Sequence, residues 1–298
     1  MRILKNLRKD KVGMASFIII SVTLVMGIFA PFVAPHDPLE VNMKLSYAAP
    51  SWEYVLGNDH LGRCVLSRLI YGIRPSVLWV LAALMVSIFI GAVLGFMAGY
   101  FRGAVDAVIM RICDVMLSFP VYVVALAIVG VLGVGMVNIL IAFILMKWAW
   151  FARIIRTSVR QYAELEYVKF SKACGMRHTN IIYRHIIPVT FSDIAVVSSS
   201  SIASMILQMS GLSFLGLGIK APNAEWGMML NEAREVMFTR PELMFAPGIA
   251  IIIIVSAFNF LSDSLQVALD PRLTRSYGKR QHHAALSGVK LREKEVAK

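Results

Sequence analysis

Charged residues are scarce in this chain of 298 residues: Asp, Glu, Lys and Arg make up 16% of it, and hydrophobic residues make up 58%. The mean hydropathy is +0.69. This composition excludes a soluble globular domain, and several uncharged stretches are long enough to cross a bilayer, which takes about 20 residues each. The net charge of +12 fits basic loops that face anionic lipid headgroups, so it does not indicate a nucleic-acid partner.

The sequence also lacks the motifs of common enzymes. Its three cysteines, Cys64, Cys113 and Cys174, are far apart and form no CxxC pair, which argues against thiol chemistry. It contains no HExxH, GxSxG or GxxxxGK motif. We therefore predict that the protein is not an enzyme, holds no cofactor and cannot hydrolyse ATP by itself. Asp193 and Asp263 lie near the ends of their apolar stretches, which disfavours a proton- or sodium-coupled carrier.

The first apolar stretch follows a basic start. Residues 1–11 carry five Lys and Arg residues, and residues 12–34 are uncharged. A cleaved signal peptide has this pattern too, but the stretch is long for one, and Pro31 and Pro35 flank its only suitable cleavage region. We predict a cytoplasmic tail at 1–11, a retained first transmembrane helix at 12–34 and a polar extracytoplasmic segment at 35–74.

Five more transmembrane helices are predicted within residues 75–268. The uncharged run at 115–146 is too long for one helix across a core about 30 Å thick, so it must contribute to two, joined at a glycine-rich turn at 130–135. With that division, 22 of the 30 Lys and Arg residues fall on one side of the membrane and 7 on the other, which places both termini in the cytoplasm. The predicted fold is an all-α membrane protein with six transmembrane helices and a basic cytoplasmic tail at 269–298.

Residues 164–188 are a charged interruption within a predicted inner loop at 153–188. Their first part has the pattern of a short helix, Gly175 breaks it, and a second short helix is predicted to end before Pro188. A helix–glycine–helix segment held between two membrane spans forms a projection, here called the knob, that a soluble partner can bind. The alternative is an ordinary amphipathic loop on the membrane surface.

Two side chains of the outer segment could bind a soft divalent metal. If residues 58–70 are helical, His60 and Cys64 lie four residues apart on one face, a spacing suited to such an ion, and His36 is in the same segment. Two ligands without a third or a fourth seldom make a site, so the alternative is that neither residue touches metal.

The stretch VKFSKACGMRHTNIIYRHIIP (168–188) resembles the coupling motif of ATP-binding-cassette importer permeases, in which Glu-Ala-Ala precedes a glycine and Ile-x-Leu-Pro follows. The resemblance implies that this stretch contacts an ATPase. The residues it assigns to coupling are Lys169, Phe170, Ser171, Ala173, Gly175, Ile187 and Pro188. Lys169 stands where the family has an acidic residue, so a salt bridge through that carboxylate is not carried over.

Further stretches resemble the C-type permease of the dipeptide, oligopeptide and nickel importers. They are LGNDHLGRCVLSRLIYGIRPSV (56–77), LSFLGLGIKAPNAEWGMML (212–230) and FNFLSDSLQVALDP (258–271). The motifs follow one another in the right order along nearly the whole chain. KWAWFARIIR (147–156) and TRPELMFAPG (239–248) are most similar to the nickel-type subunit. Cys64 is a departure, because the family usually has aspartate there.

The resemblance implies a type I importer permease in the bacterial plasma (inner) membrane. Besides lipid, the implied partners are a homologous B-type permease, two ATP-binding subunits that hold ATP and Mg²⁺, and an extracytoplasmic substrate-binding protein. We expect the complex to import nickel or a nickel chelate. A dipeptide or oligopeptide substrate is the alternative, since such importers share every coupling element, and an ATPase-independent carrier or channel is the alternative from another class.

Overall fold

The computed structural model describes residues 10–219 and 222–269, and this part of the chain is built of helices joined by short connections. The helices are α1 (Lys11–Ile28), α2 (Ala30–Val33), α3 (Val65–Ile73), α4 (Val80–Phe101), α5 (Gly103–Ser118), α6 (Val121–Leu132), α7 (Met136–Ala163), α8 (Glu166–Ala173), α9 (His178–Ile181), α10 (Ile187–Phe214), α11 (Trp226–Arg234) and α12 (Glu242–Leu269). A 3₁₀ turn at Met43–Leu45 lies in the outer segment.

The expected number of membrane spans is present. Within the described residues, α1, α3 with α4, α7, α9 with α10, and α12 are each long and apolar enough to cross a membrane. The pair α5 and α6 makes a sixth span if the bend of 82° between them is counted as part of one crossing. The all-α fold with up to six spans is therefore confirmed.

The third span differs from the prediction in shape. Its glycine-rich turn is confirmed, because α6 ends at Leu132, α7 begins at Met136, and Gly133 between them has a φ of +89°. However, α5 also covers the polar residues 103–114 that precede the uncharged run, and the chain bends sharply at Pro120. Phe119 before it is extended, since a following proline disfavours the helical conformation.

Two other prolines lie inside continuous helices, where the sequence predicted helix ends. The helix of the second span begins at Val65, well before Pro75, and the chain continues helically from the knob past Pro188 into α10. One π-helical turn, Arg74–Trp79, includes Pro75, and another, Ile182–Ile186, ends two residues before Pro188. The wider turn accommodates the proline ring and its missing N–H, so the helix continues.

Glycines bring α4 and α7 into close contact. A Cβ added at Gly91 would lie 2.8 Å from the carbonyl oxygen of Trp148, and one added at Gly95 would lie 2.8 Å from that of Ala152. Gly99 continues the same face of α4 after another four residues. Without a hydrophobic driving force between helices in lipid, such small residues allow the backbones to approach and pack.

The two predicted tails fall at the edges of the described residues. The tail at 1–11 lies almost wholly outside the described residues, and so does the tail at 269–298. The side of the membrane on which each connection lies, and hence the boundaries of the outer segment at 35–74, also stay predictions.

We expect Gly91→Ala to destabilise the protein, because the new methyl group would meet backbone and the Cβ of Phe151 at 2.6 Å. Overpacking of this kind costs about 1–3 kcal/mol. Gly130→Ala is the matched control, since a Cβ at this helical glycine meets nothing within 4 Å. The measurement is the thermal unfolding midpoint of the detergent-solubilised protein, and equal midpoints for the two variants would contradict the prediction.

Candidate functional site

The knob consists of α8, the turn at Gly175 and α9. Val168 on α8 and Ile181 on α9 are fully buried and anchor it to the membrane helices. Gly175 has a φ of +73°, the left-handed conformation that glycine adopts readily after a helix. Phe170 is 71% exposed, so the knob offers a large apolar side chain to its surroundings. The predicted glycine break is present, and the shape suits a docking contact.

Lys169 is held by acidic residues of the same segment. Its Nζ lies 3.4 Å from a carboxylate oxygen of Glu164 and 3.6 Å from one of Glu166. Arg102, after the end of α4, approaches Glu164 at 2.5 Å. The Arg102 hydrogen bond is the main reason that the pKa of Glu164 lies below its ordinary value, so this carboxylate is charged at neutral pH. Lys169 thus takes part in an ion-pair network that connects the knob to the ends of α4 and α7.

The remaining coupling residues lie in two groups. Ser171 and Ala173 belong to α8, where the Ser171 hydroxyl donates to the carbonyl of Tyr167 at 2.8 Å and Ala173 is exposed. Ile187 and Pro188 instead begin α10, beyond the π-helical turn. The structure therefore brings the residues from Lys169 to Gly175 together on the knob and places the last two at the base of the next span.

The contacts that fix the angle of the knob were not predicted from the sequence. A hydrogen bond of 2.7 Å joins Tyr100 Oη, near the end of α4, to Nδ1 of His178, the first residue of α9. Lys172 Nζ lies 4.8 Å from the centroid of the Tyr100 ring, a cation–π contact. No sequence signal links residues that are 78 positions apart, because an aromatic residue at the end of an apolar run looks like an ordinary interfacial anchor.

A buried charge network lies at the opposite end of the α3–α4 helix. Arg63 and Arg68 are 0% and 1% exposed. Arg63 Nε lies 2.6 Å from Asp59 Oδ2, and Arg68 Nη2 lies 2.8 Å from Glu232 Oε2 on α11. Two cations face two carboxylates, which is the balance that burial of charge requires. The network ties α3 and the loop before it to α11.

Glu225 makes the second connection to α11. Its carboxylate accepts hydrogen bonds from the backbone N–H groups of Gly227 at 2.9 Å and Met228 at 2.8 Å, so it caps the helix. The Ser76 hydroxyl donates to the same carboxylate at 3.0 Å, which joins α11 to the π-helical turn before α4. Burial raises the pKa of Glu225 above its ordinary value.

The proposed metal pair does not form as the spacing suggested. Helix α3 begins at Val65, so residues 58–64 are not helical and His60 and Cys64 do not share a helical face. His60 instead lies with Asp59 and Glu232, whose nearest ligand atoms are within 4.8 Å of one another. Both carboxylates are already bound by arginines, and these residues do not fit a resident metal ion.

The chain matches two family models. Residues 91–275 match the inner membrane component of binding-protein-dependent transport systems, and residues 1–50 match the N-terminal transmembrane domain of oligopeptide transport permease C. The chain belongs to this permease family. The C-type resemblance found in the sequence is therefore confirmed.

Curated relatives cover nearly the whole permease. It is 59% identical to the metal-staphylopine import system permease protein CntC of Staphylococcus aureus, over 92% of this chain and 95% of the relative. It is 37% identical to the nickel transport system permease protein NikC of Escherichia coli, over 88% and 95% of the two chains. It is 36% identical to the dipeptide transport system permease protein DppC of Alkalihalophilus pseudofirmus, over 90% and 88%.

A solved structure supports the fold of the permease. The MetNI methionine ABC transporter in an inward-facing conformation contains a chain that matches with a TM-score of 0.54 at 13% identity, covering 68% of this chain and 96% of that one. This likeness concerns the fold alone. The type I importer permease fold expected from the motifs is confirmed.

Family membership establishes the general role of the permease. It is a non-catalytic, multi-pass membrane subunit of a bacterial ATP-binding-cassette importer, and such a subunit works with ATPase and binding-protein partners. The alternative of an ATPase-independent carrier or channel is therefore not supported.

We expect Arg68→Met to destabilise the permease strongly, because it leaves the carboxylates of Asp59 and Glu232 buried with one cation fewer. Breaking a buried ion pair costs about 3–5 kcal/mol. Arg240→Met is the control, since Arg240 is 45% exposed and its pair with Glu242 spans 3.6 Å, an exposed arrangement worth about 0–1 kcal/mol. Thermal unfolding of both variants in detergent tests this, and similar midpoints would rule out a stabilising role of the network.

Proposed function

We propose that this chain forms half of the translocation path of an ATP-driven importer whose substrate is a metal chelate of the metal–staphylopine kind. The observation that carries the proposal is the 59% identity to the metal-staphylopine permease over almost the full length of both chains. Nickel is a candidate metal, in keeping with the 37% identity to the nickel permease.

A peptide importer is the second candidate. Identity to the dipeptide permease is 36%, almost equal to that with the nickel permease, so these two relatives do not separate the substrates. The much higher identity to the metal-staphylopine permease favours the chelate. Of the two forms of cargo expected from the sequence, nickel or a nickel chelate, the proposal therefore takes the chelated metal.

The proposed complex contains this permease, a homologous B-type permease, two ATP-binding subunits that bind ATP and Mg²⁺, and an extracytoplasmic substrate-binding protein. The knob and both termini lie in the cytoplasm, and the network around Arg63 and Arg68 lies outside. The exposed Phe170 enters the ATPase surface, while Val168 and Ile181 hold the knob to the spans.

Movement of the knob passes to the path through two contacts. The Tyr100–His178 hydrogen bond and the Arg102–Glu164 ion pair connect it to the end of α4. Helix α4 packs against α7 through its glycines, so both helices move together when the ATPases close. The outer end of α4 then displaces α11 through Ser76 and Glu225.

Uptake by the assembled transporter tests the proposed substrate. We expect nickel-63 supplied as its staphylopine complex to accumulate in an ATP-dependent manner, and a labelled dipeptide not to accumulate. A matched preparation with an ATPase subunit inactivated in ATP hydrolysis is the control. Accumulation of the dipeptide and not of the nickel complex would favour the peptide importer and contradict the proposal.

We expect Gly175→Pro to abolish transport while the protein remains inserted in the membrane. Proline fixes φ near −65°, whereas Gly175 has a φ of +73°, so the knob cannot keep its turn. Gly175→Asn is the control, because asparagine tolerates the left-handed conformation and should keep most of the activity. Normal ATPase assembly and uptake by Gly175→Pro would show that the turn is not needed for coupling.

A further inference from the structure

Lys147, near the middle of α7, has no ion-pair partner among the described residues. Lys147 is on α7 and is half-buried, and neither a hydrogen bond nor an ion pair involves its Nζ in the part of the chain that the structure describes. Other basic residues of α7 are paired: Arg153 with Asp114, and Arg156 with Asp106. A charged side chain within a membrane protein is costly and marks an ion or substrate pathway unless a partner neutralises it.

The glycine contacts define the depth of Lys147. Because the Trp148 carbonyl meets Gly91, Lys147 is level with that part of α4. Gly91 lies ten residues before Phe101, where α4 ends, and ten residues of helix span about 15 Å. With a hydrocarbon core about 30 Å thick, Lys147 lies near the middle of the membrane.

Lys147 points away from the apolar stripe of its own helix. Val137, Ile141 and Leu145 are exposed and follow one another every four residues, as expected of a lipid-facing stripe. Lys147 comes two residues after Leu145, which turns it by about 200° around the helix. Lys147 is therefore half-buried on a side of α7 other than that stripe.

Polar side chains of α10 occur at the same depth in the membrane as Lys147. Tyr162 Oη lies 3.4 Å from Asp193 Oδ1, which marks where α7 and α10 meet before both continue across the membrane. Lys147 is fifteen residues before Tyr162, and Gln208 is fifteen residues after Asp193, so equal rise places them level. Gln208 Oε1 is buried and finds no hydrogen-bond partner among the described residues.

The polar side of α10 continues from Gln208 toward the inner end. Ser200 and Ser204 precede Gln208 at intervals of four residues, so the three share one face, and both serines are exposed. Each serine hydroxyl donates to a backbone carbonyl of its own helix, at 3.0 Å for Ser200 and 2.9 Å for Ser204, and its oxygen can still accept a hydrogen bond. Helices α7 and α10 therefore offer one cation and a row of neutral hydrogen-bonding groups near mid-membrane.

We propose that Lys147 lines the translocation path and binds a carboxylate of the chelate during its passage. This inference rests on the proposed function. Chelators hold divalent metals through carboxylate and nitrogen groups, so the outer surface of a chelate presents oxygen acceptors to an ammonium group. A bare divalent cation would be repelled by the same charge. Lys147 thus selects the complexed metal against the free ion.

Kinetics of the assembled transporter test this role. With nickel-63–staphylopine as the probe, we expect Lys147→Met to raise the KM for uptake roughly tenfold with kcat nearly unchanged, as for lost binding shared by ground and transition states. Lys147→Arg should restore the KM, and bare nickel-63 ions should be taken up no more slowly by Lys147→Met than by the wild type. Lys44→Met, at an exposed lysine of the outer segment, is the control.

A wild-type KM for Lys147→Met would overturn the inference and leave the proposed function intact. Failure of the wild-type complex to import the nickel–staphylopine probe would instead contradict the proposed function.

A second variant tests whether residue 147 faces the path if the Lys147→Met permease does not assemble. It is Lys147→Cys in a permease whose Cys64, Cys113 and Cys174 have been replaced. We expect a membrane-impermeant methanethiosulfonate reagent to label this cysteine, more slowly with the nickel–staphylopine probe present. Absence of labelling would place residue 147 in lipid or against a partner subunit and overturn the inference.

Discussion

Close packing of α4 on α7 is the contact on which the rest of this permease depends. In a bilayer the helices gain little from apolar burial against each other, so van der Waals contact at short range has to hold them together. Gly91, Gly95 and Gly99 make that approach possible along one face of α4. Since α4 continues from α3 on one side and α7 leads to the knob on the other, this contact joins the two functional ends.

The two ends differ in how tightly they are held. At the knob, the pairs made by Arg102, Glu164 and Lys169 are between exposed side chains, and such pairs contribute little stability. At the opposite end of the α3–α4 helix, Arg63 and Arg68 are fully buried against carboxylates and cannot separate without leaving a charge unpaired. The knob therefore depends on the Tyr100–His178 hydrogen bond more than on its ion pairs for its position against α4, whereas α3 and α11 move as one unit.

The distribution of charge within the membrane distinguishes structural from functional groups. Arg156 and Asp106 neutralise each other where α5 meets α7, which stabilises the bent third span. Lys147 has no such partner in the described ranges, although it lies deeper. A permease that carries a complexed metal has reason to keep a cation there, because the ligand shell of the cargo presents oxygen atoms and the ion itself does not.

Hydrophobic runs, glycines and motif order were enough to predict the all-helical fold, the turn at Gly133, the break at Gly175 and the importer family. These features depend on the local chain and on the bilayer, whose thickness limits how long a helix can be. The prolines misled the prediction of helix ends, because a π-helical turn at Pro75 and another before Pro188 are alternatives that propensity does not reveal.

The pairing of distant side chains was decided only by the tertiary structure. Tyr100 with His178, and Arg68 with Glu232, are separated by many residues, and each partner taken alone has an ordinary interpretation. For His60 and Cys64 the spacing was misleading. Residues four apart share a face only in a helix, and α3 begins after both of them. Which segments are apolar enough to enter the membrane follows from composition alone, because burial in lipid requires apolar side chains and helical backbone. The packing of those helices determined which polar groups meet, because a polar side chain takes its partner from the helix that lies beside it.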